Sequence, residues 1–281
     1  MNTAARTSTT RARVWTLEGA ERHTHRDALV AEEPLEIRLT SGAARHTVAV
    51  TMRTPGADFE LAAGFLHNEG IIAEREAIMQ MTYCVDGEAP QQYNIVNVAL
   101  RSPVLPDLAP LDRHFLTTSA CGVCGKASLE SIRRRAHPPL VSGPEIAPET
   151  LYALPDRLRA AQNLFTATGG LHAAGLFDAA GNLLALREDI GRHNALDKLI
   201  GWALLEDRLP LAAHVVLMSG RVSFEIVQKC LAAGVPVVAA VSAPSSLAVA
   251  LAAEHGMTLI GFLRAARCNV YTGIERIAAT G

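Results

Sequence analysis

Residues 215–263 read VVLMSGRVSFEIVQKCLAAGVPVVAAVSAPSSLAVALAAEHGMTLIGFL, and this stretch decides the fold. Val215 to Met218, Val237 to Val241 and Thr258 to Leu263 are short, continuous apolar runs bounded by Gly, Ser and Pro. Such runs suit strands buried on both faces. Between them, Phe224 to Ala233 and Ser245 to His255 carry apolar residues at helical spacing. Strand, helix, strand, helix, strand implies a sheet that is at least partly parallel and covered by helices, an α/β architecture.

Working outward toward the N-terminus, Asn194 to Leu205 reads as a helix. Leu171 to Phe177 and Leu183 to Arg187 form a hairpin turning at Gly181-Asn182. Glu149 to Leu164 reads as a further helix. Pro138, Pro139, Gly143, Pro144 and Pro148 mark a linker, and Lys126 to Ala136 before them a short helix. In the N-terminal half, Leu35 to Thr40 and Thr47 to Met52 alternate with period two around Ser41-Gly42. Asp58 to Leu66 reads as a helix stopped by Gly70. Met79 to Cys84 and Asn94 to Arg101 read as a second strand pair. The division expected is a disordered tail over 1–25, an α+β domain over 26–125 and an α/β domain over 126–281. The tail is basic and rich in Thr and Ala, with no apolar core of a secretory signal.

The 281 residues carry 49% apolar and 19% charged side chains and a net charge of −2, enough to bury a sizeable core without a global basic field for nucleic acid. Aromatic residues, at 5%, supply few stacking platforms for bases. No apolar run reaches bilayer length. Five cysteines, Cys84, Cys121, Cys124, Cys230 and Cys268, are an odd set at irregular spacing, unlike a disulfide framework. A reducing, cytoplasmic setting follows, with thiols that are free, metal-bound or catalytic.

Cys121 and Cys124 stand in Thr117-Thr-Ser-Ala-Cys-Gly-Val-Cys-Gly-Lys126. A glycine after each cysteine lets the backbone present sulfur. Lys126 and the start of an expected helix favour thiolate. A thiolate can attack a sulfane sulfur and hold it as a persulfide, which a second cysteine could resolve or relay. Three readings stay open at this point: a reactive dithiol, half of a zinc site with His114 and His137, and two inert thiols. Zinc is disfavoured by the histidine spacing and the lack of a second pair.

Polar clusters recur at the strand ends of the C-terminal half: Thr166 to His172, Arg187 to Asn194, Ser219-Gly220-Arg221 and Ser242 to Ser246. Such loops offer backbone N–H groups, hydroxyls and helix N-termini to an anion. Arg192 and Arg221 add charge suited to phosphates. Each Ser or Asp could instead serve as a helix cap. Asp189 and Asp197 beside His193 suggest acid–base work, while Asp197 and Lys198 equally fit an ordinary helix surface. His172 fits a hydrogen-bonded core histidine.

Ala-Cys-Gly-Val-Cys-Gly-Lys at 120–126, Thr-Gly-Gly-Leu-His at 168–172, Glu-Asp-Ile-Gly-Arg-His-Asn-Ala-Leu-Asp-Lys at 188–198, Ser-Gly-Arg-Val-Ser at 219–223 and Ser-Ala-Pro-Ser-Ser at 242–246 occur in this order. Gly-Phe-Leu-His-Asn-Glu-Gly-Ile-Ile precedes them at 64–72. Together they make the chain, from about residue 27 onward, resemble the FdhD family of sulfur carrier proteins needed for active formate dehydrogenase.

The resemblance implies a sulfurtransferase. It would take sulfur from a cysteine desulfurase as a persulfide on Cys121, with Cys124 as the second cysteine. It would pass that sulfur to the molybdenum or tungsten bis-molybdopterin guanine dinucleotide cofactor, held transiently as acceptor, before insertion into apo-formate dehydrogenase. The family's cofactor stretch matches Phe262, Leu263, Arg264, Ala265, Ala266 and Arg267, and the arginines could meet phosphates. Thr168, Gly169, Gly170, His172, Asp189, Arg192, His193, Ser219, Arg221 and Ser242 complete the expected site, with no resident metal. The family implies a cytidine-deaminase-like C-terminal half and a homodimer. The deaminase metal motif is absent, since His172-Ala173-Ala174 lacks the glutamate and no Pro-Cys-x-x-Cys follows. A non-enzymatic cofactor-holding chaperone and a structural zinc module are the alternatives.

Overall fold

The computed structural model describes residues 7–84, 93–106, 108, 140 and 143–279. A mixed six-stranded sheet lies at the centre, in the order β12-β11-β10-β9-β7-β8. Its strands are β7 (His172–Phe177), β8 (Leu183–Asp189), β9 (Val215–Met218), β10 (Val237–Ala240), β11 (Thr258–Arg264) and β12 (Arg267–Thr272). Strands β9, β10 and β11 run parallel, as the alternation with helices requires, while β7 and β12 run antiparallel to their neighbours β9 and β11. Every residue of β9 and β10 is buried, which explains why these runs are apolar without alternation.

Helices cover both faces of this sheet. On one face α4 (Arg192–Leu205), α5 (Phe224–Ala232) and α6 (Ser246–Glu254) pack Leu196, Leu199, Ile226, Val227 and Ala248 against Leu176, Val216, Val238 and Leu259. On the other, α2 (Pro148–Ala161) sets Leu151, Leu154 and Leu158 on Phe177, Val215, Leu217 and Ala239. The helix expected over 149–164 is two: α2 ends at Ala161 and α3 (Asn163–Thr168) follows after Gln162.

The N-terminal layer is a four-stranded sheet in the order β4-β3-β6-β5, built from β3 (Glu33–Ser41), β4 (Ala44–Arg53), β5 (Ile78–Tyr83) and β6 (Ile95–Leu100). Its inner residues Leu35, Ile37, Leu39, Val96 and Val98 pack on Leu61 and Leu66 of α1 (Asp58–Asn68) and on Leu204 of α4. Helices α1 and α4 join the layers at backbone contact. A Cβ on Gly64 would sit 1.9 Å from the Asp197 carbonyl oxygen, and one on Gly201 would sit 1.8 Å from that of Glu60.

The N-terminal expectation is also corrected. Residues 9–25 are not a disordered tail: β1 (Thr9–Glu18) and β2 (Glu21–Val30) form a hairpin, and the expected boundary at residue 25 falls inside β2. Val14, Trp15, Thr16 and Leu17 have strand-forming side chains, and the two-residue Gly19-Ala20 loop turns with Gly19 at φ 62°. Arginine-rich composition masks this alternation. Strand β12 was also unforeseen: Arg267, Asn269 and Tyr271 are exposed and Cys268, Val270 and Thr272 only partly buried, so no position carries a strong apolar signal. The helix expected over 126–136 and the boundary at 125 lie outside the described residues.

Candidate functional site

Strands β9, β10 and β11 point their carboxyl ends the same way, and the antiparallel β7 brings its first residue to that end. One edge of the sheet therefore collects His172, the end of β8, the first turn of α4, and the loops after β9 and β10. Ligands of open α/β sheets bind in such crevices.

Backbone pairing fixes these loops. Ser219 N–H donates to the Ala173 carbonyl at 3.0 Å, and its Oγ accepts from Ala173 N–H at 2.8 Å. Val222 N–H donates to Ala243 O at 3.2 Å, and Phe262 N–H to Ser242 O at 3.2 Å, stitching three loops side by side. Gly220 packs closely here: a Cβ would lie 3.1 Å from His172 Nδ1, so a larger residue would press on the ring. His172 is half-buried, and burial followed by the Arg192 and Arg221 charges lowers its pKa, with Asp189 opposing. The shift favours a neutral imidazole, with the Arg192 and Arg221 charges near enough to act on it. That arrangement suits an anion without adding a third fixed charge.

His193 faces the other way. Its Nε2 lies 3.1 Å from Ser223 Oγ and 3.5 Å from Glu225 Oε2. Burial, aided by Lys229, Arg192 and His172, drops its pKa to about 3. Asp189 is fully buried rather than lining the crevice. Its Oδ2 pairs with Lys198 Nζ at 2.7 Å and accepts from Thr54 N–H at 3.1 Å. Its Oδ1 accepts from Gly191 N–H at 2.8 Å and Asn194 Nδ2 at 3.1 Å. It shapes the loop that presents Arg192.

Thr168 and Gly169 close α3: the Thr168 hydroxyl donates to Leu164 O at 2.8 Å, and Gly169 caps the helix at φ 68°. Gly170 lies against Val30 of the hairpin. Phe262 lies in a β-bulge at φ 53°, and 38% of its surface is exposed at the same end of the sheet. This is an unusual conformation for a bulky residue, of the kind found at binding sites. Leu263 is buried in the core. Arg264 and Arg267 pair across the β11–β12 turn at Ala265-Ala266, all four exposed. Cys121, Cys124, Lys126, His114 and His137 lie outside the described residues.

A buried polar network was not foreseen. Asp197 and Lys198 are 2% exposed each, not helix surface. Lys229 Nζ contacts Asp197 at 2.8 and 3.0 Å, and Asn68 Nδ2 donates to Asp197 at 2.6 Å. Burial opposes the Lys229 charge, but Asp197, Glu225 and Glu69 outweigh it and raise its pKa. The sequence signal was a lysine inside the apolar run Ile226 to Leu231. Among the other thiols, burial pushes those of Cys230 and Cys268 up, away from thiolate. Among the described residues no group of His, Cys, Asp and Glu has the makings of a metal site, and no helix is long and apolar enough to cross a membrane.

The FdhD/NarQ family model matches residues 30–278. The chain belongs to the FdhD/NarQ family. It is 55% identical over 262 residues to the sulfur carrier protein FdhD of Streptomyces coelicolor, covering 91% of this chain and 90% of that one. It is 52% identical over 276 residues to the FdhD of Mycobacterium tuberculosis, covering 96% and 99%. A crystal structure from Desulfotalea psychrophila, described as a formate dehydrogenase accessory protein, superposes with a TM-score of 0.74 at 25% identity, covering 96% of this chain and 99% of that one. Of the segments 168–172, 188–198, 219–223 and 242–246, His172, Arg192, Ser219, Arg221 and Ser242 come together at this end of the sheet, while His193, Asp189, Asp197 and Lys198 are turned inward.

Proposed function

We propose that this chain carries sulfur from a cysteine desulfurase to the bis-molybdopterin guanine dinucleotide cofactor destined for formate dehydrogenase. The observation that carries the reading is the crevice, in which His172, Arg192 and Arg221 are gathered in a chain whose relatives are named sulfur carriers. Arg192 and Arg221 hold phosphates of the cofactor, and Phe262 offers a face to a guanine. Arg264 and Arg267 extend the positive surface beyond the bulge.

Cys121 is the carrier. Its thiolate attacks the outer sulfur of the desulfurase persulfide. A sulfur–sulfur bond forms on Cys121 as the one on the desulfurase breaks, and the desulfurase cysteine leaves as thiolate. For delivery, the Cys124 thiolate attacks the inner sulfur of Cys121. The terminal sulfur leaves as sulfide to the bound metal, and a Cys121–Cys124 disulfide remains for a cellular thiol to reduce. Two electrons pass from the cysteine pair to the transferred sulfur. The crevice contributes position, since sulfide already has affinity for the metal.

Intact-mass spectrometry after incubation with a desulfurase and cysteine tests the carrier. The native chain gains one sulfur atom and Cys121→Ala gains none. Cys124→Ser loads normally but does not restore formate oxidation in cells. Full loading of Cys121→Ala overturns the assignment. Normal formate oxidation with both cysteines changed to serine favours a chaperone that only holds the cofactor.

A further inference from the structure

The β1–β2 hairpin is an arm. It forms a two-stranded sheet of its own, paired with neither of the larger sheets. Its root is tied down beside the crevice. Ala31 N–H donates to Ser8 O at 2.9 Å, Ser8 Oγ donates to Pro55 O at 2.7 Å, and Val30 touches Gly170, two residues from His172. Beyond the root, both strands are largely exposed. An isolated hairpin is marginal in water and needs something against one of its faces.

The register sorts its side chains. Residues directly opposite one another share a face, and successive residues alternate. The pairs Arg11↔Ala28, Arg13↔Arg26, Trp15↔Thr24 and Leu17↔Arg22 therefore lie on one face. That face carries four arginines, an indole and a leucine, and no acid. Asp27, Glu18 and Glu21 all fall on the opposite face. Trp15 and Leu17 are each 68% exposed. Arg13 stands directly across from Arg26, a like-charge pair that costs stability. Among the described residues no ion pair neutralises Arg11, Arg13, Arg22 or Arg26.

We infer that the arginine face of this hairpin is a docking surface for an acidic protein partner, held beside the crevice. Charge complementarity selects the partner. Four guanidinium groups bind carboxylates bidentately, and exposed Trp15 between them supplies the apolar anchor that arginine-rich protein interfaces use. An acidic segment laid along this face relieves the Arg13–Arg26 repulsion and covers the indole in one step. The inference stands on the arm alone and does not depend on the sulfur chemistry.

The test uses the full-length chain and fluorescein-labelled poly-L-glutamate, read by anisotropy at low salt. Two tryptophans are present, so Trp202→Phe leaves Trp15 as the only indole reporter. Saturable binding with a blue shift of Trp15 emission is expected, lost as salt rises. Arg13→Glu with Arg26→Glu should weaken binding at least about tenfold. Arg11→Glu with Arg22→Glu should do the same and serves if the first pair fails to fold. Unchanged binding by both pairs overturns the inference. So does tighter binding of oligo-dT or of phosphatidylserine vesicles than of poly-L-glutamate. Self-association of the native chain that both pairs abolish, without poly-L-glutamate binding, assigns the face to a second copy and equally overturns it.

Discussion

His193 is kept neutral by its surroundings, and that makes its neighbourhood sensitive to acid in a calculable direction. In the folded chain its pKa is about 3, against an ordinary 6.5. As pH falls below 6.5 the unfolded chain gains a proton that the folded one refuses until about pH 3. Stability is full above the unfolded value and drains away through that window, by up to about 1.4 kcal/mol per pH unit for one proton. Urea denaturation at pH 7, 6, 5 and 4 should therefore show a shallower loss for His193→Asn than for the native chain. Equal slopes would mean that the imidazole is not shielded. The same burial explains which residues of the site can be read in the sequence. Arg192, Arg221 and Ser219 sit in polar loops at strand ends, where ligand groups are expected. Asp189 occupies the same kind of loop, yet its carboxylate is turned inward to Lys198, Thr54 and Gly191. A one-dimensional pattern gives the position of a carboxylate along the chain but not the direction it faces.

Helices α1 and α4 carry the tightest contact between elements. Gly64 and Gly201 bring the two backbones together, with no room for a methyl group on either. In an exposed helix interior, Gly→Ala stabilises by about 1 kcal/mol. Here the sign reverses, because the new Cβ meets a carbonyl oxygen that cannot move without shifting a whole helix. Gly201→Ala is expected to cost at least about 1–3 kcal/mol, seen as a lowered melting temperature in a calorimetric scan. A melting temperature at or above the native value would show that the helices part at little cost. Element types were legible where burial imposed a period. The continuous runs of β9 and β10 and the alternation of β3 and β6 gave their strands correctly. Strands without a fully buried position, β1, β2 and β12, were not, because solvent-facing positions accept arginine, histidine and asparagine without penalty.

Across the whole molecule, buried polar links bind the N-terminal layer to the crevice. Lys198 on α4 reaches Asp189 at the end of β8 at 2.7 Å and the Thr54 carbonyl, just after β4, at 2.8 Å. Thr54 returns two bonds, its N–H to Asp189 at 3.1 Å and its Oγ1 accepting from Ile190 N–H at 3.2 Å. Arg187 and Glu60 form a second link between β8 and α1. No local pattern announces the links between layers, since the residues they join lie 127 to 144 positions apart. Lys198→Met keeps the apolar stem and removes the charge, leaving Asp189 buried against backbone N–H groups and the neutral Asn194 amide. Breaking one side of a buried pair costs about 3–5 kcal/mol, whereas replacing both sides costs far less. The single variant should therefore lose most of that range in urea denaturation, and Lys198→Met combined with Asp189→Asn should recover at least half. Because the link spans both layers, far-ultraviolet dichroism and Trp202 fluorescence should shift together in one transition. Separate transitions would mean that the four-stranded layer unfolds on its own, and that the crevice does not need it for its shape.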